Sequence, residues 1–195
     1  MSSNAVERER GFTILEGAVV VMVIGVIVAF AAPKISSAMR DYRLNIALRQ
    51  INDTLRRAKM QAISESNRTG VAIDVLGKRI GLITYQNDGV TVSRIDYIPL
   101  PSDVSFERPP DEGAAPAGVT GEGVLSLALR DGVYVQDFNT RGFPVVASGA
   151  DVVSIFLGNG RNYLALTMSS VGGVRTYRYE NRAWQNTRGP KSADN

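Results

Sequence analysis

The chain has 195 residues, of which 44% are hydrophobic and 7% aromatic, enough for one folded domain of ordinary size beside a membrane segment. It contains neither cysteine nor histidine, which excludes disulfides, thiolate chemistry and histidine-based acid–base or metal chemistry. The net charge of +3 is mild. Because no other catalytic constellation is visible, we expect a protein that is not an enzyme and that uses no cofactor or metal.

An apolar run follows a short polar N-terminus. Residues 17–32 carry no charge, and a helix from Phe12 to Ala32 would be about 31 Å long, close to the thickness of a hydrocarbon core of about 30 Å. Arg8 and Arg10 favour a cytoplasmic N-terminus, because positive charges are retained on that side. We therefore predict a transmembrane helix over residues 12–32, with the C-terminal part on the outer side of the membrane.

Glu16 lies inside this apolar segment. A carboxylate costs roughly 2.5–3.5 kcal/mol near the bilayer centre and less near its edge, so such a residue usually has a partner. A secretory signal peptide that ends at Ala29-Phe30-Ala31 is the alternative interpretation. A signal peptide that is cleaved off would not be expected to carry an acidic residue that is costly in the membrane. Glu16 therefore favours a retained helix and an earlier cut, between Gly11 and Phe12.

The segment Gly11-Phe12-Thr13-Ile14-Leu15-Glu16 resembles the class III signal of type IV pilins and type II secretion pseudopilins. The resemblance implies that a prepilin peptidase removes residues 1–11 as a leader and methylates the new N-terminus at Phe12. It also implies that Glu16 serves assembly, since it can neutralise the amine of Phe12 in its own or a neighbouring subunit. Pro33 falls where the family has a helix-bending proline.

A helical pattern continues beyond the apolar run, and we predict an amphipathic helix over residues 33–66. Its apolar stripe comprises Leu44, Leu48, Ile51, Leu55, Ala58 and Ala62, with an upstream row of Ile35, Met39, Tyr42 and Ile46. The opposite face carries Arg40, Asp41, Arg43, Arg49, Asp53, Arg56, Arg57 and Lys59. That face is interpreted as solvated or, alternatively, as contacting acidic partners or lipid headgroups.

The periodicity changes to that of strands after Gly70, so residues 67–180 are predicted to form a β-rich globular domain and residues 181–195 a disordered tail. The strand candidates are Val71–Leu76, Arg79–Tyr85, Val90–Ile98, Val104–Phe106, Val124–Leu129, Val133–Phe138, Val152–Leu157, Tyr163–Met168 and Val174–Tyr179. Arg108–Gly123 is expected to be a long loop. The predicted fold class is α+β, with a long N-terminal helix packed on an antiparallel β-sandwich.

Three further segments are similar to the GspH/FimT group of minor pilins. They are Leu55–Ile63 running into Val71-Ala72-Ile73, the turn Phe138–Pro144, and Gly172-Gly173-Val174-Arg175, where glycine stands in place of a frequent arginine. The resemblance implies the pseudopilin fold and a minor pseudopilin at or near the tip of a type II secretion pseudopilus. It further implies a single-pass protein of the inner membrane with a periplasmic C-terminal domain. The implied partners are major and minor pseudopilins, membrane lipid, and the secreted substrate or secretin.

Two alternatives stay open at this level. A FimT-type minor pilin could bind DNA for uptake, because basic residues and aromatic residues alternate near the C-terminus, with Arg175 and Arg178 as candidate nucleic-acid contacts. A minor subunit of a type IV pilus for adhesion or twitching is the other alternative.

Overall fold

A computed structural model describes residues 14–111, 115–116, 119, 125, 127–145 and 152–187, without the side chains of residues 31–33 and 152. The described residues form one long helix, α1 (Ile14–Ser64), followed by antiparallel strands. The α+β class predicted from the sequence is confirmed. The strands are β1 (Thr69–Asp74), β2 (Arg79–Tyr85), β3 (Val92–Pro99), β4 (Ala128–Arg130), β5 (Val133–Phe138), β6 (Pro144–Val145), β7 (Val152–Gly158), β8 (Tyr163–Ser169), β9 (Val174–Glu180) and β10 (Ala183–Asn186).

The chain divides into two compact units, Met1–Met39 and Arg40–Asn195. The described part of the first unit is helical. In the second unit, the predicted apolar stripe of α1 is buried in full, from Leu44 to Ala62. The upstream row differs from the prediction, because Ile35, Met39 and Tyr42 are exposed. The buried contacts of α1 thus begin at Leu44, where the helix enters the core of the second unit.

Two sheets share that core with α1. The first sheet has the strand order β3-β2-β1-β5-β4, with β6 paired to β5, and the second is the meander β10-β9-β8-β7. Alternation of side chains along the strands sends Val71 and Ile73 of β1, and Ile155 and Leu157 of β7, into the core beside the helix. Burying an aliphatic side chain of this size stabilises the fold by about 1.5–3 kcal/mol.

The end of α1 is tied to the first sheet. The hydroxyl of Thr69 donates to the carbonyl oxygen of Ala58 at 2.6 Å, and both residues are buried. Ser66 has a φ of 48°, a left-handed conformation that ends the helix and turns the chain toward β1. A buried hydrogen bond, in addition to apolar packing, therefore holds the helix against β1, the central strand of the first sheet.

The strands differ from the sequence prediction in four places. Of the predicted strand Val124–Leu129, the described residues show β4 from Ala128 and an isolated bridge between Leu125 and Ile155. Val104–Phe106 contributes only an isolated bridge between Ser105 and Gly158. The two-residue strand β6 was not predicted, because a strand that short has no periodicity. Strand β10 lies in the segment expected to be a disordered tail. It forms because Asn181 and Arg182 both adopt positive φ, 53° and 61°, in a two-residue turn that returns the chain along β9.

Candidate functional site

The predicted processing and assembly residues lie at the start of the chain. Gly11 and Phe12, together with the whole leader 1–11, fall outside the described residues. Glu16 lies in the first turn of α1 and is exposed. A carboxylate in the first turn is favourably placed, because the helix dipole is positive there. The role of Gly11, Phe12 and Glu16 in processing and assembly stays a prediction.

The segment after Glu16 exposes its apolar side chains. All valine, isoleucine, methionine and phenylalanine side chains from Val19 to Phe30 are exposed. No single described helical segment is both long and apolar enough to cross a membrane. The segments Ile14–Phe30 and Lys34–Ser64, bent by 42° at the break between them, together have the length and composition for it. Pro33 lies in the break between these segments, and its proposed role in bending the helix stays a prediction.

The two arginines predicted as nucleic-acid contacts lie on β9 but on opposite faces of the second sheet. Arg175 pairs in register with Thr167, and Arg178 with Leu164, whose side chain lies in the core. Three positions along a strand always change face, because side chains alternate with a period of two. Arg178 also lies 3.7 Å from the carboxylate of Glu180. The structure therefore does not bring Arg175 and Arg178 together.

The aromatic residues near the C-terminus pack on one another. The ring centroid of Trp184 lies 5.4 Å from that of Phe156 and 5.1 Å from that of Tyr179, and Tyr179 lies 6.4 Å from Tyr163 in an edge-to-face arrangement. The hydroxyl of Tyr179 also donates to the carbonyl oxygen of Asp111 at 2.8 Å. Burial, followed by the charges of Glu107 and Asp111, raises the pKa of Tyr163. These rings thus build a small apolar cluster on the second sheet.

The polar face of α1 is only partly solvated. The carboxylate of Asp41 accepts hydrogen bonds from the amide nitrogens of Asn159 at 3.2 Å and Asn162 at 2.6 Å, in the turn between β7 and β8. The guanidinium of Arg43 lies 3.7 Å from the carboxylate of Asp103. The interpretation of the whole face as solvated is therefore wrong at Asp41, where the turn between β7 and β8 reaches the helix, whereas the side chain of Arg43 stays 47% exposed.

Two of the family-like turns meet α1 at its C-terminal end. Gly142, in the turn after β5, has a φ of 75°, and a Cβ built on it would lie 2.7 Å from Cδ1 of Ile63. Gly172, in the turn between β8 and β9, also has a positive φ of 79°, and its Cβ would lie 3.0 Å from Nζ of Lys59. Glycine at both positions lets the two turns approach the helix closely.

A buried charged cluster on the opposite face of the first sheet was not predicted. Asp137 of β5 is 4% exposed, accepts a hydrogen bond from the hydroxyl of Tyr85 at 2.6 Å and pairs with Arg68 and, at 3.3 Å, with Arg130. Burial, followed by the hydrogen bond and charge of Asp137, raises the pKa of Tyr85 to about 12. No local pattern could reveal this cluster, because its four members come from separate segments of the chain.

No protein-family model matches the chain, and no curated protein matches its sequence. Among solved structures, the chain is similar to the minor pseudopilin EpsH from the type 2 secretion system of Vibrio cholerae. The similarity has a TM-score of 0.45 and 14% sequence identity, and it covers 69% of this chain and 95% of that one.

Proposed function

We propose that the chain is a minor pseudopilin of a type II secretion system, a structural subunit that supports export of folded proteins through the outer membrane. The observation that carries the proposal is the position of Glu16. It follows the pilin-like cleavage sequence Gly11-Phe12 and begins a helical segment whose apolar side chains are all exposed. An exposed apolar helix of this kind is suited to lipid, and a carboxylate at its start needs a partner there.

Assembly follows from the chemistry of the two charges. Cleavage after Gly11 leaves a cationic amine on Phe12, four residues before Glu16. In a low-dielectric environment an unpaired carboxylate is costly, so it pairs with such an amine of its own chain or of a neighbouring subunit. The proposal places the first unit in the inner membrane beside other pseudopilins and the second unit in the periplasm, within the pseudopilus and near its tip.

Processing is tested first, by mass spectrometry of the mature N-terminus after expression with and without a prepilin peptidase. We expect a peptidase-dependent start at N-methylated Phe12. A start after Ala31, or an uncut chain in both strains, would show that the segment is a secretory signal or a plain anchor.

Assembly is tested with Glu16→Gln, which removes the charge and keeps the size of the side chain. We expect normal cleavage but loss of cross-linking to the major pseudopilin and loss of exoprotein secretion. Glu9→Gln is the matched control, because that carboxylate is discarded with the leader. Normal cross-linking of the Glu16→Gln protein would contradict the assigned role.

The alternative, a FimT-type pilin that binds DNA, receives less support from the geometry. Arg175 and Arg178 face opposite sides of the second sheet, and Trp184 and Tyr179 pack on other rings instead of standing free for base stacking. A deletion strain separates the functions. Loss of exoprotein secretion with normal DNA uptake and twitching supports the proposal, and the reverse pattern supports a type IV pilus subunit.

A further inference from the structure

A shallow groove runs from the exposed face of α1 to the hairpin of β8 and β9. It consists of an open depression of about 550 Å³ along the helix and one of about 350 Å³ between the helix and the hairpin, and the two share Arg56 and Met60. We call this surface the α1–β9 groove. It is lined by Arg56, Arg57, Lys59, Met60, Gly172 and Val174.

The α1–β9 groove is cationic. Arg56, Arg57 and Lys59 line it, and Asp53 is the acidic residue among its lining. Within the part of the chain that the structure describes, none of these three cations lies within 4 Å of a carboxylate. Their charge is therefore not used by the described parts of the fold, in contrast to Arg43 and Arg68, which pair with Asp103 and Asp137.

The centre of the groove is aliphatic. Met60 is 69% exposed between the cations, and Val174 of the β8–β9 hairpin lines the depression beside it. Methionine is adaptable and is favoured where a surface must accommodate a partner's apolar side chains. Cations around an aliphatic centre match a ligand that presents carboxylates around an apolar side chain.

We propose that the α1–β9 groove binds an acidic segment of a partner protein, with an aliphatic side chain of that segment over Met60. Arginine recognises carboxylates through two parallel hydrogen bonds, so Arg56 and Arg57 supply direction as well as charge. The proposal goes beyond the membership of a secretion filament and does not depend on cleavage at Gly11.

Single-stranded nucleic acid fits the groove less well. It is held by stacking on exposed aromatic rings, whereas none of the described residues that line the groove is aromatic.

The test uses the full chain in nanodiscs of neutral phosphatidylcholine, with empty discs as the background. The probe is a fluorescent peptide of alternating glutamate and leucine, and binding is followed by anisotropy. A peptide with glutamine for glutamate and a peptide with serine for leucine report the two parts of the recognition. We expect each altered peptide to bind at least about tenfold more weakly, a loss of about 1.4 kcal/mol.

Two variants of the groove and one matched control locate the binding. Arg56→Gln with Lys59→Gln should weaken binding of the acidic peptide about tenfold, and Met60→Ser should weaken it several-fold. Arg40→Gln with Arg49→Gln removes two exposed charges of the same helix outside the groove and should leave binding within twofold. Far-UV circular dichroism and thermal unfolding should be the same for all of them, because the changed side chains carry no core packing.

Three outcomes would overturn the proposal. The first is an equal loss of binding in the control and in the groove variants, which indicates unspecific charge attraction. The second is unchanged affinity when Met60 is replaced by serine and when the peptide carries serine in place of leucine. The third is oligothymidylate or phosphatidylserine vesicles binding through Arg56 and Lys59 more tightly than the acidic peptide does, which would assign the groove to nucleic acid or lipid.

Discussion

Asp137 shows how one residue joins separate segments of this fold. It pairs in register with Gly70 of β1, and a Cβ on Gly70 would lie 2.6 Å from its carboxylate oxygen. The missing side chain of Gly70 therefore makes room for the carboxylate, which Tyr85, Arg68 and Arg130 then surround. Buried polar groups stabilise a fold only when they are satisfied, so the four residues act as a unit.

The change Asp137→Asn should lower the free energy of unfolding by about 2–3 kcal/mol, because Arg68 and the hydroxyl of Tyr85 lose a charged acceptor in a buried place. Urea unfolding followed by circular dichroism measures the loss. Asp131→Asn is the control, since Asp131 is exposed in a turn at a φ of 48° that asparagine tolerates. Equal stability of the two variants would show that the cluster contributes nothing.

The pH dependence of stability should reveal Tyr85. Its pKa is about 12 in the folded chain, above the usual value of 10.0, so the folded state holds the proton more tightly. The stabilisation from the protonated Tyr85 hydroxyl is complete below about pH 10 and is lost as the pH rises toward 12. The free energy of unfolding should therefore fall in that interval. Urea unfolding at several pH values in this interval should show a smaller decrease of the free energy of unfolding for Tyr85→Phe than for the wild type. Tyr42→Phe, at an exposed position of α1, should keep the wild-type slope.

At the scale of the elements, the C-terminal half of α1 organises the domain. Its buried stripe contacts both sheets, and the turns that contain Gly142 and Gly172 close on its last turns. The helix is therefore buried on the stripe and exposed on the face that lines the α1–β9 groove. Its helical period was evident in the sequence, because residues three and four apart share a face. The turns that meet it are distant in sequence, and their contacts were not predictable.

The approach of the β5–β6 turn to the helix can be measured with two glycines. Gly142 and Gly132 both have positive φ, 75° and 79°, but a Cβ on Gly132 meets nothing within 4 Å. Alanine at either position should cost about 1–2 kcal/mol of backbone strain. Gly142→Ala should cost about 1 kcal/mol more, because its methyl group meets Ile63. Thermal or urea unfolding of both variants gives the difference, and equal losses would rule out a tight contact.

At the scale of the whole molecule, the chain combines two units of different character. The described part of the first unit exposes apolar side chains from Ile14 onward, whereas the core of the second begins at Leu44. An exposed apolar stretch of this length makes a chain associate in water. The second unit contains both sheets and the buried stripe of the helix, so its stability does not require the first.

A fragment of residues 40–195 should therefore fold alone. We expect a cooperative thermal transition and a monomer in size-exclusion chromatography without detergent, whereas the full chain should need detergent to stay dispersed. A fragment carrying Ile51→Ala serves as a control for the transition. Its free energy of unfolding should be about 2–5 kcal/mol lower than that of the unchanged fragment, because Ile51 is fully buried in the core. A fragment without cooperative unfolding would show that the second unit depends on the first.

The sequence alone determined the features that depend on neighbours along the chain. They are the apolar run with Glu16 at its start, the stripe from Leu44 to Ala62 and the alternation of most strands, since each follows from a local period of side chains. Only the tertiary structure decided which segments meet. It set β5 beside β1, gathered Asp137 with Arg68, Tyr85 and Arg130, separated Arg175 from Arg178, and brought Val174 to the helix in the α1–β9 groove. The physical reason is that such contacts depend on packing between residues far apart in the chain, which no local period encodes.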